Sequence, residues 1–438
     1  MVRNNIMGKT IKIGLLGSGT VGSGVVEVLK KNVDEISQKA GTEIEIKKIL
    51  VRDLKKKRPH LEGMELTDDI NDILKDEDID IIVELMGGLH PAREYMLRAM
   101  KAGKHVVTAN KDVVAQFGKD MFDAAKENRV EFLFEASVGG GIPIITPLKE
   151  SLTANRITEV MGIVNGTTNY MLTQMTNCGN DYETALREAQ ELGYAEANPA
   201  ADVEGYDAAR KVAILASLAF NTRVTLDDVS VEGITHITPQ DIEYAKELGY
   251  VIKLLAIAND SEKGVDVRVH PAFLKKDHPL ASVNDVFNAI FIKGNAIGEA
   301  MFYGQGAGSL PTASAVVADI ITVAREIVKG IYAAVDCSAF QVKPFCPLEE
   351  TESSYYIRLL VADQPGVLGT IATVFGDQGV SLKSVIQTQR VKDQAEIVVV
   401  THHVYHKQLL KAEQVLLNLP VVTTISNVIR VETKKGEV

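Results

Sequence analysis

Between residues 11 and 16 every position but Lys12 is apolar or glycine, the pattern of a strand buried on both faces. The run ends in glycines and passes into an apolar helical stretch at 25–29. Residues 43–51 predict a second strand, and 79–84 a third after a charged stretch. A helix over 91–102, a strand over 105–107, a helix around 119–127 and a strand over 131–135 follow. Strands alternating with helices pair in parallel, so this part predicts an α/β, Rossmann-type doubly wound sheet.

The alternation stops at Gly139, Gly140, Gly141 and Pro143. Strands over 157–164 and 250–259 then mix with helices over 181–192, 208–219 and 239–248, an α+β pattern. A long helix over 311–328 is expected to pack back on the first sheet. Pro344, Pro347 and an acidic run mark 340–354 as a linker. Beyond it the chain reads strand, helix, strand, strand, helix, strand, over 355–361, 367–377, 381–387, 396–401, 407–418 and 421–430. That βαββαβ order predicts a ferredoxin-like antiparallel sheet with two helices on one face. The expected domains are 11–140, completed by a helix from about 311 to 335, then 141–310, then 355–438 after the linker. Residues 1–10 read as a flexible extension.

Composition narrows the class. The chain has 438 residues, 46% hydrophobic and 24% charged, enough for two or three domains with ordinary cores. The net charge of -11 argues against a nucleic-acid partner. Cys178, Cys337 and Cys346 form no CxxC or Cys/His cluster and read as unpaired thiols in a reducing compartment. The longest apolar run, 212–220, is about half of the ~20 residues a membrane span needs. A soluble, cytoplasmic protein without a membrane partner is expected.

Gly17-Ser-Gly19-Thr20-Val21-Gly22 lies between a strand and a helix, the order a dinucleotide cradle requires. The first glycine makes the turn, the second admits a pyrophosphate and the third allows close packing, with the helix N-terminus facing the anion. At the end of the second strand stand Val51-Arg52-Asp53, then Lys55, Lys56, Lys57 and Arg58. Arg52 and Lys57 suit a 2′-phosphate, so NADP is the expected cofactor; Asp53 leaves NAD open.

Residues 189–211 concentrate carboxylates and a lysine around a Gly/Asn/Pro loop that enters a helix: Tyr194, Glu196, Asn198, Pro199, Asp202, Glu204, Asp207 and Lys211. Asp207 and Lys211 are four apart and share a helical face. Taken alone such a pair is ordinary surface chemistry. As a whole, the segment resembles the signature of the homoserine dehydrogenases. Gly87-Gly88-x-x-Pro91-Ala92, Thr108-Ala-Asn110-Lys111, residues 135–143, Asn165-Gly166-Thr167-Thr168-Asn169 and Gly306-Ala-Gly308-Ser-Leu-Pro311 are similar to further motifs of that family. The resemblance covers about residues 10–340.

It implies reversible hydride transfer between NAD(P)H and aspartate 4-semialdehyde to give homoserine. Lys111 is implied as the principal acid–base group with Lys211 beside it, the two roles being exchangeable, and Asp207 orients substrate and lysine. Glu196, Asp202, Tyr194, Gly166 and Thr167 are implied at the substrate; Gly87, Thr108, Asn110, Lys111 and Gly308 join the cradle at the cofactor. Glu135 with the carbonyls of Val138, Gly140 and Ile142 resembles a monovalent cation site, for Na⁺ or K⁺. Residues 141–310 are implied as the substrate-binding and dimerisation domain. Asp363-Gln-Pro-Gly366-Val367-Leu368, between strand and helix, resembles the amino-acid site of ACT domains. That implies a threonine effector and a homodimer or homotetramer; a dimerisation module without effector stays open. Two other readings compete: a different Rossmann-fold oxidoreductase of amino-acid metabolism, and a non-catalytic amino-acid sensor. The length of the 189–211 motif disfavours the first, and the intact Lys111, Asp207 and Lys211 disfavour the second.

Overall fold

A computed structural model describes residues 9–332, 341–391 and 394–433. Residues 1–8 of the expected extension, 333–335 of the returning helix, Cys337, residue 340 of the linker and 434–438 lie outside the described residues. The chain divides into two compact units, one of Met1–Val160, Arg210–Asp227 and Asn288–Val342, the other of Met161–Ala209, Asp228–Phe287 and Lys343–Val438.

In chain order the elements begin with β1 (Ile11–Leu16), α1 (Thr20–Lys31), α2 (Val33–Ala40), β2 (Ile44–Leu50), β3 (Leu66–Thr67), α3 (Asn71–Leu74), β4 (Ile81–Glu84), α4 (Ala92–Lys101), β5 (His105–Thr108), α5 (Lys111–Asn128) and β6 (Phe132–Leu133). Next come β7 (Ile157–Ile163), α6 (Gly166–Cys178), α7 (Tyr182–Glu191), α8 (Ala200–Val203), α9 (Tyr206–Ala219), β8 (Ser230–Val231), α10 (Pro239–Glu247), β9 (Tyr250–Ser261) and β10 (Gly264–Lys275). The rest are β11 (Phe287–Gly294), β12 (Gly298–Gln305), α11 (Ser309–Lys329), β13 (Glu352–Ala362), α12 (Val367–Asp377), β14 (Leu382–Val391), β15 (Gln394–Thr401), β16 (Val404–Tyr405), α13 (His406–Leu417) and β17 (Val422–Glu432).

The first unit is built on a parallel sheet in the order β3-β2-β1-β4-β5-β6. Its central strands β1 and β4 are apolar because both faces are covered. On one face Val25 and Val26 of α1 and Val316, Ile320 and Val323 of α11 close over Ile13 and Leu15. The returning helix thus completes this domain, and it stops at Gly330 in the left-handed conformation, φ 63°.

Two of the predicted elements in this unit have markedly different bounds. α5 begins eight residues before the expected 119, because the side chain of Asn110 accepts the Val113 N–H and caps it; a kink at Phe117 interrupts the periodicity that marks only its second half. β6 is two residues long because the chain turns at Glu135–Ser137 into a 3-10 turn.

In the second unit β9 and β10 form a twelve-residue antiparallel hairpin, and the strand order is β9-β10-β17-β13-β15-β14. The last four strands pair antiparallel with one another and, with α12 and α13, make the expected ferredoxin-like module around Tyr355, Ile357, Leu359, Ile371, Phe375, Ile397 and Leu409. The module is not a free appendage. β17 pairs in parallel with β10, Ala272 opposite Arg430 and Leu274 opposite Glu432. The stretch read as a linker is bound down as well: the Val265 N–H donates to the Pro344 carbonyl, the Cys346 N–H donates to that of Val265, and Lys343 pairs with Asp260 at 2.9 Å.

A buried ionic knot fastens β13 to α10. The guanidinium of Arg358 donates to Asp241 at 2.9 Å and to Glu396 at 3.1 Å. Tyr356 and Asn427 also donate to Asp241, and Tyr244 donates to Glu396. Asp241 doubles as the third residue of the capping box that starts α10 at Thr238.

Candidate functional site

The glycine cradle has the geometry its spacing predicts. Gly17 follows β1 at φ 99°, and a Cβ there would lie 2.8 Å from the Leu85 carbonyl oxygen. A Cβ on Gly22 would lie 2.4 Å from the Gly17 carbonyl oxygen, so the first turn of α1 packs on the loop only with glycine. At Gly19 a Cβ would meet nothing within 4 Å. No neighbour demands glycine there; the open space faces the start of α1, where the amides of Thr20, Val21 and Gly22 lie in the first turn. Ser309, after Gly308 (φ 124°), donates to the Thr20 carbonyl and ties the start of α11 to the same loop.

Arg52 and Lys57 are exposed directly after β2. Arg58 instead braces its own loop, donating to the carbonyls of Asp53 and Lys56. Basic side chains are therefore available beyond β2, beside the cradle's own strand β1.

Glu84, which the sequence shows only as a strand end, organises the next loop. Its carboxylate is fully buried and accepts the Met86 and Gly87 N–H groups and the Thr108 hydroxyl. Burial raises its pKa against these bonds. Thr108 also accepts the Asn110 N–H, and Asn110 donates its amide to the Gly88 carbonyl. The side chains of Thr108 and Asn110 are thus consumed inside the protein. Only their backbone can face a ligand, whereas Gly87 and Gly88, both at φ 72°, hold the loop open.

Lys111 is the first residue of α5, and the next residue, Asp112, pairs with Arg210 at 2.9 Å. Lys211 follows Arg210 in α9. The residues immediately beside the two lysines are therefore joined across the fold. Asp207 lies one turn before Lys211 in α9.

In the second unit Asn165 brings two carboxylates together. Its Oδ1 accepts the Thr168 N–H and caps α6, while its Nδ2 donates to Asp202 Oδ1 at 2.7 Å and Asp207 Oδ2 at 2.9 Å. Asn165 and Asp207 are buried and Asp202 half-buried. Thr167 spends its hydroxyl on the Tyr194 carbonyl, and the Tyr194 ring stands edge-on to Tyr170 with centroids 5.0 Å apart. Glu196 is exposed on the same loop. The sequence motif 165–169 gave Asn165 no role of its own; an Asn directly before the helical stretch Gly-Thr-Thr is the cap signal that marks it.

The Glu135 carboxylate is held by backbone amides. Its Oε1 accepts the Ile144 and Ile145 N–H groups and its Oε2 that of Thr146, at 2.6–2.8 Å. Its own N–H donates to Asp319, whose carboxyl is buried and pushed up to about 8, first by burial and further by the Glu135 charge. Gly139 and Gly140, at φ 74° and 55°, shape the turn, and a Cβ on Gly140 would lie 2.5 Å from the Gly306 carbonyl oxygen. Among the described residues no group of three or more His, Cys, Asp or Glu could hold a metal ion.

In the C-terminal module Gly366 caps α12 at φ 90°, with open space where a Cβ would stand. Val367 is buried in the module core, so it can meet an effector only through its backbone; Leu368 is exposed. Among the described residues no helix is long and apolar enough to cross a membrane.

Comparisons agree along the chain. Family models described as homoserine dehydrogenase, NAD binding domain, as homoserine dehydrogenase, and as ACT domain match residues 17–135, 143–321 and 355–421. A homoserine dehydrogenase from Synechocystis is 48% identical over 96% of this chain and 99% of its own length; one from Bacillus subtilis is 44% identical over 97% and 99%. A crystal structure of a homoserine dehydrogenase from Thiobacillus denitrificans superposes with a TM-score of 0.92 at 43% identity, covering 97% of this chain and 98% of that one. A hyperthermophilic archaeal homoserine dehydrogenase in complex with NADPH superposes with a TM-score of 0.62 at 27% identity, over 72% of this chain and 97% of that one.

Proposed function

The chain belongs to the homoserine dehydrogenase family of NAD(P)-dependent oxidoreductases, and we propose how its own residues divide the work. The observation that carries the reading is the Asp112–Arg210 ion pair, which ties together the neighbours of Lys111 and Lys211. When bound, the nicotinamide exchanges the hydride with the carbonyl carbon of aspartate 4-semialdehyde. An ammonium group near the carbonyl oxygen stabilises the developing alkoxide and gives it a proton. Lys111 takes that role with Lys211 beside it, and Asp207, one helical turn from Lys211, orients lysine and substrate. Glu196 and Asp202 meet the substrate's ammonium and hydroxyl ends. Gly166 and Thr167 begin α6, where free backbone N–H groups suit a carboxylate; Tyr194 is held over them by the Thr167 hydroxyl.

NADP is the preferred cofactor, supported by exposed Arg52 and Lys57 beyond β2. A monovalent cation, Na⁺ or K⁺, rests on Glu135 and the carbonyls of Val138, Gly140 and Ile142, with the Glu135 carboxylate oriented by three backbone amides. Threonine binds at Asp363–Leu368, where Gly366 leaves the start of α12 open, and feeds back on the activity. The enzyme works in the cytoplasm as a homodimer or homotetramer, with 141–310 binding substrate and pairing subunits.

The test is homoserine-dependent reduction of NADP⁺ and NAD⁺, with and without threonine. Lys111→Ala and Lys211→Ala are expected to lower kcat by about 10²–10⁴-fold. Wild-type turnover in both would overturn the assignment; an unchanged rate at saturating threonine would leave the C-terminal module a purely structural part.

A further inference from the structure

Lys253 is the polar residue among the apolar positions Ile252, Leu254, Leu255 and Ala256 of β9, and its side chain is buried. Its Nζ donates to the Asn169 side-chain oxygen at 3.1 Å, the Val283 carbonyl at 2.5 Å and the Asn284 side-chain oxygen at 3.1 Å. Three N–H groups thus meet three neutral oxygens, which satisfies every donor of an ammonium. Taking an ammonium out of water costs several kcal/mol, and a methionine of similar length would fill the same space without that cost. The three contacts therefore call for a purpose other than filling the core.

One of the three, Asn169, lies on α6, the helix that Asn165 caps, and Asn169 also donates to the Val283 carbonyl of the neighbouring loop. Asn165, Asn169 and Thr173 are spaced by four and lie on one face of α6. At the first position Asn165 grips Asp202 and Asp207. At the second, Asn169 accepts from Lys253 and donates to the carbonyls of Val283, Asp285 and Phe287. At the third, the Thr173 hydroxyl donates to the Asn169 carbonyl and accepts the Asp285 N–H. The loop so held includes Asp285 at φ 55°, a left-handed conformation costly for a residue other than glycine and sustained only when its surroundings impose it.

We propose that Lys253 is a positioning residue for the substrate carboxylates: by lacing β9, α6 and the 283–287 loop together it fixes the axial position of α6, and with it the amide that sets Asp202 against Asp207. The proposal rests on the reading of those two carboxylates as substrate groups. Lys253 touches neither; it acts one helical turn away, through Asn169.

The experiment compares Lys253→Met, Asn284→Ala, Asp202→Asn and Asp207→Asn in the full chain. The readouts are KM for homoserine, kcat, and the Kd of NADPH from its own fluorescence. Lys253→Met is expected to raise the homoserine KM about tenfold and leave the NADPH Kd unchanged, because a small misplacement of binding groups weakens the substrate alone. Asn284→Ala removes one exposed acceptor and is expected to raise KM by a smaller factor; should Lys253→Met fail to fold, this variant decides. A merely structural lysine would lower the active fraction, hence kcat, and leave KM where it was. Wild-type KM in Lys253→Met and Asn284→Ala, with raised KM in the two Asp variants, overturns the positioning role alone. Wild-type KM in the Asp variants overturns the site reading on which it stands.

Discussion

Asn165 donates its side-chain amide to Asp207 at 2.9 Å while sharing it with Asp202, so one neutral group holds two carboxylates in a fixed relation. The amide lies between the two carboxylates and donates to both. Asn165→Ala is expected to raise the homoserine KM about tenfold, and to cost about 1 kcal/mol of stability as the α6 cap is lost. Steady-state kinetics and urea unfolding check both; an unchanged KM would remove Asn165 from the site.

The Asp112–Arg210 pair is half-exposed, and such a pair contributes at most about 1 kcal/mol to stability. Its value is expected in turnover instead. Arg210→Ala and Asp112→Ala should each lower kcat with little change in melting temperature. The double variant should be no worse than either single one, since both break the same link. Additive losses in kcat would show that the two residues act separately.

Cofactor choice is expected to follow Arg52. A hydrogen bond to a charged group contributes about 1.5–3 kcal/mol, so Arg52→Ala should shift the NADPH/NADH ratio of kcat/KM toward NADH by at least about tenfold. An unmoved ratio would place the 2′-phosphate contact elsewhere.

Asp319 carries a pH signature. Its carboxyl is raised from 3.8 to about 8, chiefly by burial, so between those values the folded chain binds a proton the unfolded chain has lost. The stability this adds is fully present below pH 3.8 and declines as pH rises through about 8. Asp319→Asn keeps a neutral group there and should flatten the decline. Chemical unfolding of both proteins at pH 6 and pH 9 reads the difference, which should shift in favour of the variant at the higher pH.

Arg358 pairs with both Asp241 and Glu396 in a buried setting. Arg358→Ala leaves two buried carboxylates without their cation and should destabilise the protein by about 3–5 kcal/mol. Equilibrium unfolding would report it; a change well below 1 kcal/mol would mean that water enters the knot.

The parts of the fold written in periodicity were legible in the sequence. β1 and β4 are mostly apolar runs, and α12 falls on the expected residues 367–377. α6 was not, because its Thr- and Asn-rich first two turns are buried nearly all round and leave no amphipathic stripe. β10 was masked by Arg268, His270 and Pro271, charged and helix-breaking residues that a buried strand seldom holds. The glycine cradle was legible because glycine is required for steric reasons at Gly17 and Gly22. Glu84 and Lys253 were not, since a charged residue in a strand usually marks the face toward water. Only tertiary structure shows that both point inward to hold loops.

One edge of β10 is shared between two short partners: β8 alongside Arg268 and Val269, and β17 alongside Ala272 to Leu274. Cutting the chain before the C-terminal module would therefore not simply remove an independent part. It would strip three residues of β10 of their hydrogen-bonding neighbour and leave a raw apolar seam, the kind of surface on which chains adhere to one another. The C-terminal module is also the hem of the neighbouring sheet, and mutations that loosen it should first appear as precipitation.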